Sequence, residues 1–375
     1  MLNEFLESYQ AFIKSNWVKA GYEKLTAVQL EAMPYILEGK DVIASSPTGT
    51  GKTIAYLLPL LEKINQESKG VQSVILAPSR ELVMQILEET QKWAEGTSIL
   101  AASFIGGANL KRQLEKLKKR PQIVIGTPGR INELIMQKKL KMHEVKLLVM
   151  DEGDQLLLPE NKQAISNIVK STLSDRQLVL FSATLSPEAI QKASAMMKKP
   201  ELINITVKES PKVEYQYFLC DAREKIDVLR KLSAAEKFQA LVFVRDIGNL
   251  SVLAEKLQFK GVSVGQLHSE LKKEERAKAI KLFKQGEIQY LLVTDVAARG
   301  LDLQGLTHVI HYELPEGLSQ FVHRSGRTGR LGSASGTVIS IVTEREERKL
   351  KQICRELNAD LHKKELVAGK IMNSK

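Results

Sequence analysis

The run Ala44-Ser45-Ser46-Pro47-Thr48-Gly49-Thr50-Gly51-Lys52-Thr53 has the residue types and spacing that hold phosphate. Glycines at positions 49 and 51 let backbone amides turn around an anion, and a helix opening at Lys52 adds the favourable end of its dipole. Lys52 offers a point charge to the β- and γ-phosphates, and the Thr53 hydroxyl is suited to magnesium; Thr48 and Thr50 lie in the same cradle. Ser46 stands where the general P-loop pattern has glycine, so context decides. A β-branched run precedes the loop and an amphipathic one follows, the strand-to-helix setting that a phosphate cradle needs and a surface turn does not. Further along, Asp151-Glu152 close another apolar run. A strand end would put both carboxylates beside the cradle, Asp151 in the magnesium shell through water and Glu152 polarising the attacking water. Alone, such a pair is a solvated turn or a helix cap; behind a P-loop it completes a nucleotide hydrolase.

Positioning these groups requires parallel strands joined by crossover helices, and short apolar runs alternate with longer amphipathic ones along nearly the whole chain. An α/β fold follows. In the first half, strands are expected at Asp41–Ala44, Ser73–Ala77, Ile123–Thr127, Lys146–Met150 and Gln177–Phe181, with helices beginning near Lys52, Glu81, Arg130 and Pro187. The polar stretch Lys208-Glu209-Ser210-Pro211-Lys212 reads as a linker, dividing a domain of residues 1–207 from one of residues 213–375. After it the alternation restarts, with strands expected at Val213–Leu219, Ala240–Val244, Val262–Leu267, Tyr290–Thr294, His308–Tyr312 and Gly336–Val342. From Glu344 on, a terminal helix and a brief tail are expected.

The length of 375 residues exceeds what one hydrophobic core fills, which agrees with two domains. A formal charge of +11 favours a polyanionic partner, although charge alone also fits a merely soluble basic protein. Cys220 and Cys354 have no metal-ligand spacing, so a reducing compartment is expected. The first residues lack a signal-peptide pattern, and the longest apolar stretches fall far short of a bilayer span. The expectation is a cytoplasmic monomer with no membrane association.

Beyond the phosphate site, spaced motifs along essentially the whole chain resemble the DEAD-box RNA helicase family. The eponymous tetrad is here Asp151-Glu152-Gly153-Asp154, with glycine where the family usually has alanine; glycine loosens a strand end by roughly 0.5–1 kcal/mol relative to alanine. The segment Gly21-Tyr22-Glu23-Lys24-Leu25-Thr26-Ala27-Val28-Gln29 resembles the family's adenine-reading segment, with Leu25 in the place of proline. The Gln29 amide has the donor and acceptor that match adenine N6 and N7, Tyr22 and Thr26 belong to the same segment, and Phe5 resembles the aromatic that stacks on the base. As an alternative, Phe5 is a core contact of an N-terminal helix.

Ala77-Pro78-Ser79-Arg80-Glu81-Leu82, Gly106-Gly107 and Thr127-Pro128-Gly129-Arg130 look like the family's RNA-facing motifs. The resemblance gives Pro78, Ser79, Arg80, Gly106, Gly107, Thr127, Pro128 and Arg130 sugar and phosphate contacts that read no bases. Taken singly, each is equally a helix cap or a tight turn. Ser182-Ala183-Thr184 matches the motif that couples the nucleotide site to strand separation, through Ser182 and Thr184.

In the second half, Val242-Phe243-Val244 and His268-Ser269-Glu270, with Arg276, resemble weaker motifs near RNA, Ser269 and Lys273 departing from the pattern. Val293-Thr294-Asp295-Val296-Ala297-Ala298-Arg299-Gly300-Leu301-Asp302 resembles a motif in which Thr294 and Arg299 face RNA while Gly300 and Asp302 reach the nucleotide. His323-Arg324-Ser325-Gly326-Arg327-Thr328-Gly329-Arg330 resembles the arginine motif: Arg327 and Arg330 as fingers on the γ-phosphate, His323 as the link to the acidic tetrad.

The resemblance implies two tandem RecA-like domains that use ATP and magnesium and bind single-stranded or short duplex RNA without sequence preference, unwinding it locally. Structured ribosomal RNA suits a core without auxiliary domains. Two rival readings are an ATP-gated RNA clamp or assembly scaffold that unwinds little, and a DNA translocase, against which the Gln29 segment and the Asp-Glu-x-Asp tetrad argue.

Overall fold

Strands that are buried on both faces need apolar residues at every position, and such runs form the middle of each sheet here. The computed structural model describes residues 7–205, 213–235, 238–298, 301, 303, 305–329, 335–367 and 369–374. The chain divides into two compact units, Met1–Val207 and Lys208–Lys375. Phe5 and the stretch 208–212 lie outside the described residues.

The first unit contains strands β1 (Val42–Ser45), β2 (Ser73–Leu76), β3 (Ala101–Phe104), β4 (Ile123–Gly126), β5 (Leu147–Asp151), β6 (Gln177–Ser182) and β7 (Glu201–Asn204). They form one sheet in the order β3-β4-β2-β5-β6-β1-β7, with every pairing parallel. Helices on both faces cover it, among them Lys52–Lys63, Arg80–Trp93 and Leu110–Lys118. Two apolar clusters result, one on either side of the sheet, centred on Ala44, Val149 and Phe181 and on Ile43, Met150 and Leu180. The five strands expected from sequence are present within a residue at either end. The outer strands β3 and β7 were not expected.

The second unit contains β8 (Val213–Leu219), β9 (Ala240–Phe243), β10 (Val264–Leu267), β11 (Tyr290–Val293), β12 (His308–His311), β13 (Gly336–Val342), β14 (Leu361–Val367) and β15 (Lys370–Asn373). Their order is β10-β11-β9-β12-β13-β8-β14-β15, parallel except for the final β14–β15 hairpin. The terminal helix Glu344–Glu356 is present, with Thr343 and Glu346 forming a capping box. The expected brief tail is instead this hairpin, which extends the sheet beyond β8. Among the described residues no helix is long and apolar enough to cross a membrane.

Because the strands of the first unit run the same way, the loops that follow them all emerge at one edge of the sheet, the usual ligand side of an open α/β fold. The segments singled out around residues 46–53, 77–80, 105–109, 127–130, 151–154 and 182–184 all follow strands, so topology alone gathers them there.

Candidate functional site: a phosphate cradle and an RNA-facing loop cluster

Gly49 and Gly51 adopt φ of 79° and 86°, left-handed values that glycine reaches without strain. This lets the chain leave β1, curl, and enter the helix Lys52–Lys63 with Gly51 as its cap. The loop is braced from inside: Ser46 Oγ lies 2.7 Å from Thr50 Oγ1, and the Thr50 hydroxyl donates to the Pro47 carbonyl at 2.8 Å. Lys52 Nζ donates to the carbonyls of Ser46 and Pro47 at 2.6 and 2.8 Å, which folds its ammonium over the loop where an anion would be met. Ser46, in the place of glycine, thus acts as a strut.

The segment expected to read adenine is fastened to this loop. Gln29 is buried; its Oε1 accepts the Thr26 amide at 2.9 Å, and its Nε2 donates to the Gly51 carbonyl at 3.3 Å. A side chain at position 51 would place Cβ 2.5 Å from that Nε2, so glycine is required there. One N–H and one lone pair of the Gln29 amide remain for a base. Tyr22 is stacked against Trp93, their ring centroids 6.2 Å apart, and lies 5.3 Å from Trp17, so the segment is also packed onto the end of the helix Arg80–Trp93.

Asp151 ends β5 and is 4% exposed. Its Oδ2 accepts the Tyr56 hydroxyl at 2.9 Å and its Oδ1 accepts the Glu152 amide at 2.9 Å. Burial, followed by the neighbouring Glu152 charge, raises the Asp151 carboxyl from its ordinary value to about 6, against the opposing pull of Lys52 and Tyr56. Burial also pushes the Tyr56 hydroxyl well up, and Thr53 neighbours the same hydroxyl. Thr53 and Asp151, the two residues assigned to magnesium, therefore meet around Tyr56. A deeply buried carboxylate beside a hydroxyl is a donor set that fits a hard divalent cation.

Glu152 turns through φ 53°, ψ 53°, starting the short helix Gly153–Leu156. The absent side chain of Gly153 leaves room that a neighbour uses. A Cβ at position 153 would lie 2.5 Å from Leu180 Cδ2, so Leu180 already fills that volume. The tetrad is then tied to β6: the Ser182 hydroxyl is 2.6 Å from Asp154 Oδ1, accepts the Asp154 amide at 3.2 Å, and lies 2.8 Å from the Thr184 carbonyl oxygen.

Of the segments expected to face RNA in the first unit, two arginines converge on one loop. Arg80 packs under Gly107, whose φ is 74°; a Cβ there would meet the guanidinium at 2.3 Å. Arg130 Nη2 reaches the Ala108 carbonyl at 3.5 Å and its Nε pairs with Glu133 at 3.2 Å. Buried Gln113 holds the loop: its amide donates to the carbonyls of Ile105 and Ala108 at 3.1 and 3.3 Å and accepts the Ile105 amide at 3.0 Å. Ser79 caps the helix Arg80–Trp93, accepting the Leu82 amide at 3.2 Å. Pro128 opens the helix Pro128–Met136 behind Thr127.

In the second unit, Thr294 is buried and its carbonyl accepts the Ala298 amide at 2.9 Å, opening the helix Asp295–Ala298. Arg324 is 3% exposed and grips Asp295 with two nitrogens, Nε at 2.7 Å and Nη2 at 2.6 Å, while Nη1 donates to the Glu313 carbonyl at 2.7 Å. Gln320 adds a bond to Asp295 at 2.6 Å. This arginine is a strut of the fold. Arg327 is half-buried, with Nη1 3.4 Å from the Leu301 carbonyl, and His323 is buried on the helix Leu318–Ser325. Arg299, Gly300, Asp302 and Arg330 lie outside the described residues.

Sequence reasoning missed Tyr56, Gln113, Leu180 and the Asp295–Arg324 pair. Tyr56 was signalled by a polar-tipped aromatic soon after Thr53 in an apolar run, and Gln113 by an amide on the apolar stripe of a basic helix.

Residues 26–193 match the DEAD/DEAH box helicase family and residues 224–332 the helicase conserved C-terminal domain. The probable ATP-dependent RNA helicase YfmL of Bacillus subtilis is 54% identical over 369 residues, which cover 98% of either chain. The DEAD-box ATP-dependent RNA helicase CshC of Bacillus cereus is 50% identical over 371 residues, covering 99% of this chain and 95% of that protein. Among solved structures, S. cerevisiae Dbp5 bound to RNA and ADP BeF3 matches with a TM-score of 0.85 at 28% identity, covering 96% of this chain and 95% of the other. The DEAD-box helicase Mss116 bound to ssRNA and UDP-BeF matches with a TM-score of 0.83 at 25% identity, covering 98% and 81%. With half or more of its residues shared with two bacterial helicases over nearly all its length, the chain belongs to the DEAD-box family of ATP-dependent RNA helicases.

Proposed function

We propose that this helicase separates short RNA duplexes locally, coupling each opening to hydrolysis of ATP at the cradle of Lys52 and Asp151. The observation that carries the reading is the joining, within the first unit, of nucleotide side and RNA side at one sheet edge. Gln29 is bonded to the P-loop, Ser182 to Asp154, and Gln113 steadies the loop against which Arg80 and Arg130 rest.

In this reading Lys52, Gly49, Gly51, Thr48 and Thr50 hold the phosphates, Gln29, Thr26 and Tyr22 receive the adenine with Phe5, and Glu152 polarises the attacking water. Thr53, and Asp151 through water, hold magnesium, which supplies charge neutralisation at the phosphates. Arg327 and Arg330 stabilise charge on the transferred phosphoryl group, a role worth roughly 10³–10⁵ in rate. Gly300 and Asp302 touch the nucleotide, and His323 connects to the tetrad. Pro78, Ser79, Arg80, Gly106, Gly107, Thr127, Pro128, Arg130, Thr294 and Arg299 hold sugar and phosphate. Contacts of that kind bend a strand without reading it, and a bent strand does not fit a regular A-form duplex.

The protein acts as a cytoplasmic monomer, with structured ribosomal RNA or pre-ribosomal particles as its substrates. A fluorescently labelled short RNA duplex tests the activity: ATP separates the strands, and Lys52→Ala abolishes separation. Equal separation by the variant refutes the coupling of opening to ATP at the Lys52 cradle, whereas RNA-stimulated ATP hydrolysis with no separation refutes duplex opening and establishes the clamp in its place.

A further inference from the structure

The helix Leu110–Lys118 and its exit to Arg120 carry Lys111, Arg112, Lys116, Lys118, Lys119 and Arg120 against the single acid Glu115. All six cations are exposed, while Leu110, Leu114 and Leu117 pack on the core beneath. Helix stability does not account for the arrangement. Cations in the last turn suit the negative end of the helix dipole, but Lys111 and Arg112 occupy the first turn, where positive charge is unfavourable and where this helix has no acid. Only Glu115 offers compensation, and it is paired with Lys118 at 2.7 Å.

The position explains what helix chemistry does not. The helix begins directly after the Gly106–Ala108 loop, is locked to that loop by Gln113, and lies along β3, the outermost strand of the sheet. A phosphate backbone passing Arg80, Gly107 and Arg130 and continuing outward over this edge would meet the cations next.

We infer that the exposed face of the helix Leu110–Lys118 is a second RNA-binding surface, an electrostatic track for single-stranded RNA flanking the core groove. The inference rests on the RNA reading of the loop cluster. The track binds phosphates alone, so it adds affinity for longer RNA without adding sequence preference.

The test compares the full chain with Lys111→Gln/Arg112→Gln/Lys119→Gln. A control, Lys138→Gln/Lys139→Gln/Lys141→Gln, loses the same charge from the exposed segment preceding β5, at the opposite end of the strands. Fluorescence anisotropy with oligouridylates of about ten and about thirty nucleotides, over a salt series, gives the readout. The first variant loses on the order of ten-fold affinity for the longer RNA, and its log–log salt slope falls by about 2. Its binding of the shorter RNA, and the ATP hydrolysis that RNA stimulates, stay at wild-type levels, as do all properties of the control. Unchanged binding of the longer RNA by the first variant, or an equal loss on both lengths, overturns the track. Failure of the wild type to bind either RNA overturns the underlying RNA reading itself.

Discussion

The Tyr56 hydroxyl donates to Asp151 Oδ2 at 2.9 Å, so the carboxylate that ends β5 is steadied by the helix that starts at the phosphate cradle. Burial has already raised this carboxyl to about 6. Its proton is therefore held more tightly folded than unfolded, and stability falls as pH rises from about 4 to about 6. Asp151→Asn removes that cost. Without nucleotide or divalent cation, the variant is more stable than wild type at pH 7.5 by on the order of 2 kcal/mol, and the gap narrows to about half at pH 5 and closes near pH 4. Thermal melting at these pH values measures it, and an unchanged gap contradicts the burial argument.

Tyr56→Phe takes away the donor and leaves the carboxylate in place. Loss of a bond to a buried charge costs about 1–3 kcal/mol. It also destabilises the ionised form, so the acidic limb of the ATPase pH profile moves to higher pH. A profile that stays put would mean that the hydroxyl contributes packing only.

Gly153→Ala introduces a methyl into space that Leu180 occupies. Leu180 is fully buried, so the conflict costs about 1–3 kcal/mol. Leu180→Val alone also destabilises, by loss of packing, yet in combination the two changes recover part of the loss. A double-mutant cycle by chemical denaturation reads a coupling of about 1 kcal/mol. Simple additivity would show that the two positions do not compete for the same volume.

Gln113→Ala takes the side-chain partner from the amide and carbonyl of Ile105 and leaves the Ala108 carbonyl only Arg130, all in a partly buried loop. We expect about 2 kcal/mol lower stability and clearly weaker RNA binding. ATP affinity measured without RNA stays as in wild type, because Gln113 touches no part of the phosphate cradle. A parallel loss of ATP affinity would point to general unfolding instead.

Two arginines of one motif separate cleanly. Arg324→Ala removes a buried guanidinium, takes two bonds from the partly buried Asp295 and leaves it only Gln320, which costs on the order of 3 kcal/mol, seen as a lowered melting temperature. Arg327→Ala, which gives up a bond to the Leu301 carbonyl, lowers melting less than Arg324→Ala does and lowers ATP turnover by roughly 10³ or more. Differential scanning calorimetry beside a phosphate-release assay distinguishes them; the opposite pattern would exchange their roles.

Central strands were readable because burial on both faces demands unbroken apolar runs, as in Leu147–Asp151 and Gln177–Ser182. Outer strands escape that demand. Glu201–Asn204 buries a single residue, and Leu361–Val367 buries none fully, so neither stands out from a polar loop. The phosphate loop and the acidic pair announced themselves because special residues sit at strand ends. Leu180 and Gln113 did not: their importance comes from Gly153 and the Ile105–Ala108 loop, contacts that only the folded chain brings together.

The chain has two tryptophans, and both Trp17 and Trp93 flank Tyr22 in the first unit. Selective excitation of indole thus illuminates the first unit and leaves the second dark. The two indoles are a built-in optical reporter beside Tyr22, and a change in the unlabelled protein's own emission on adding nucleotide would register events at that segment.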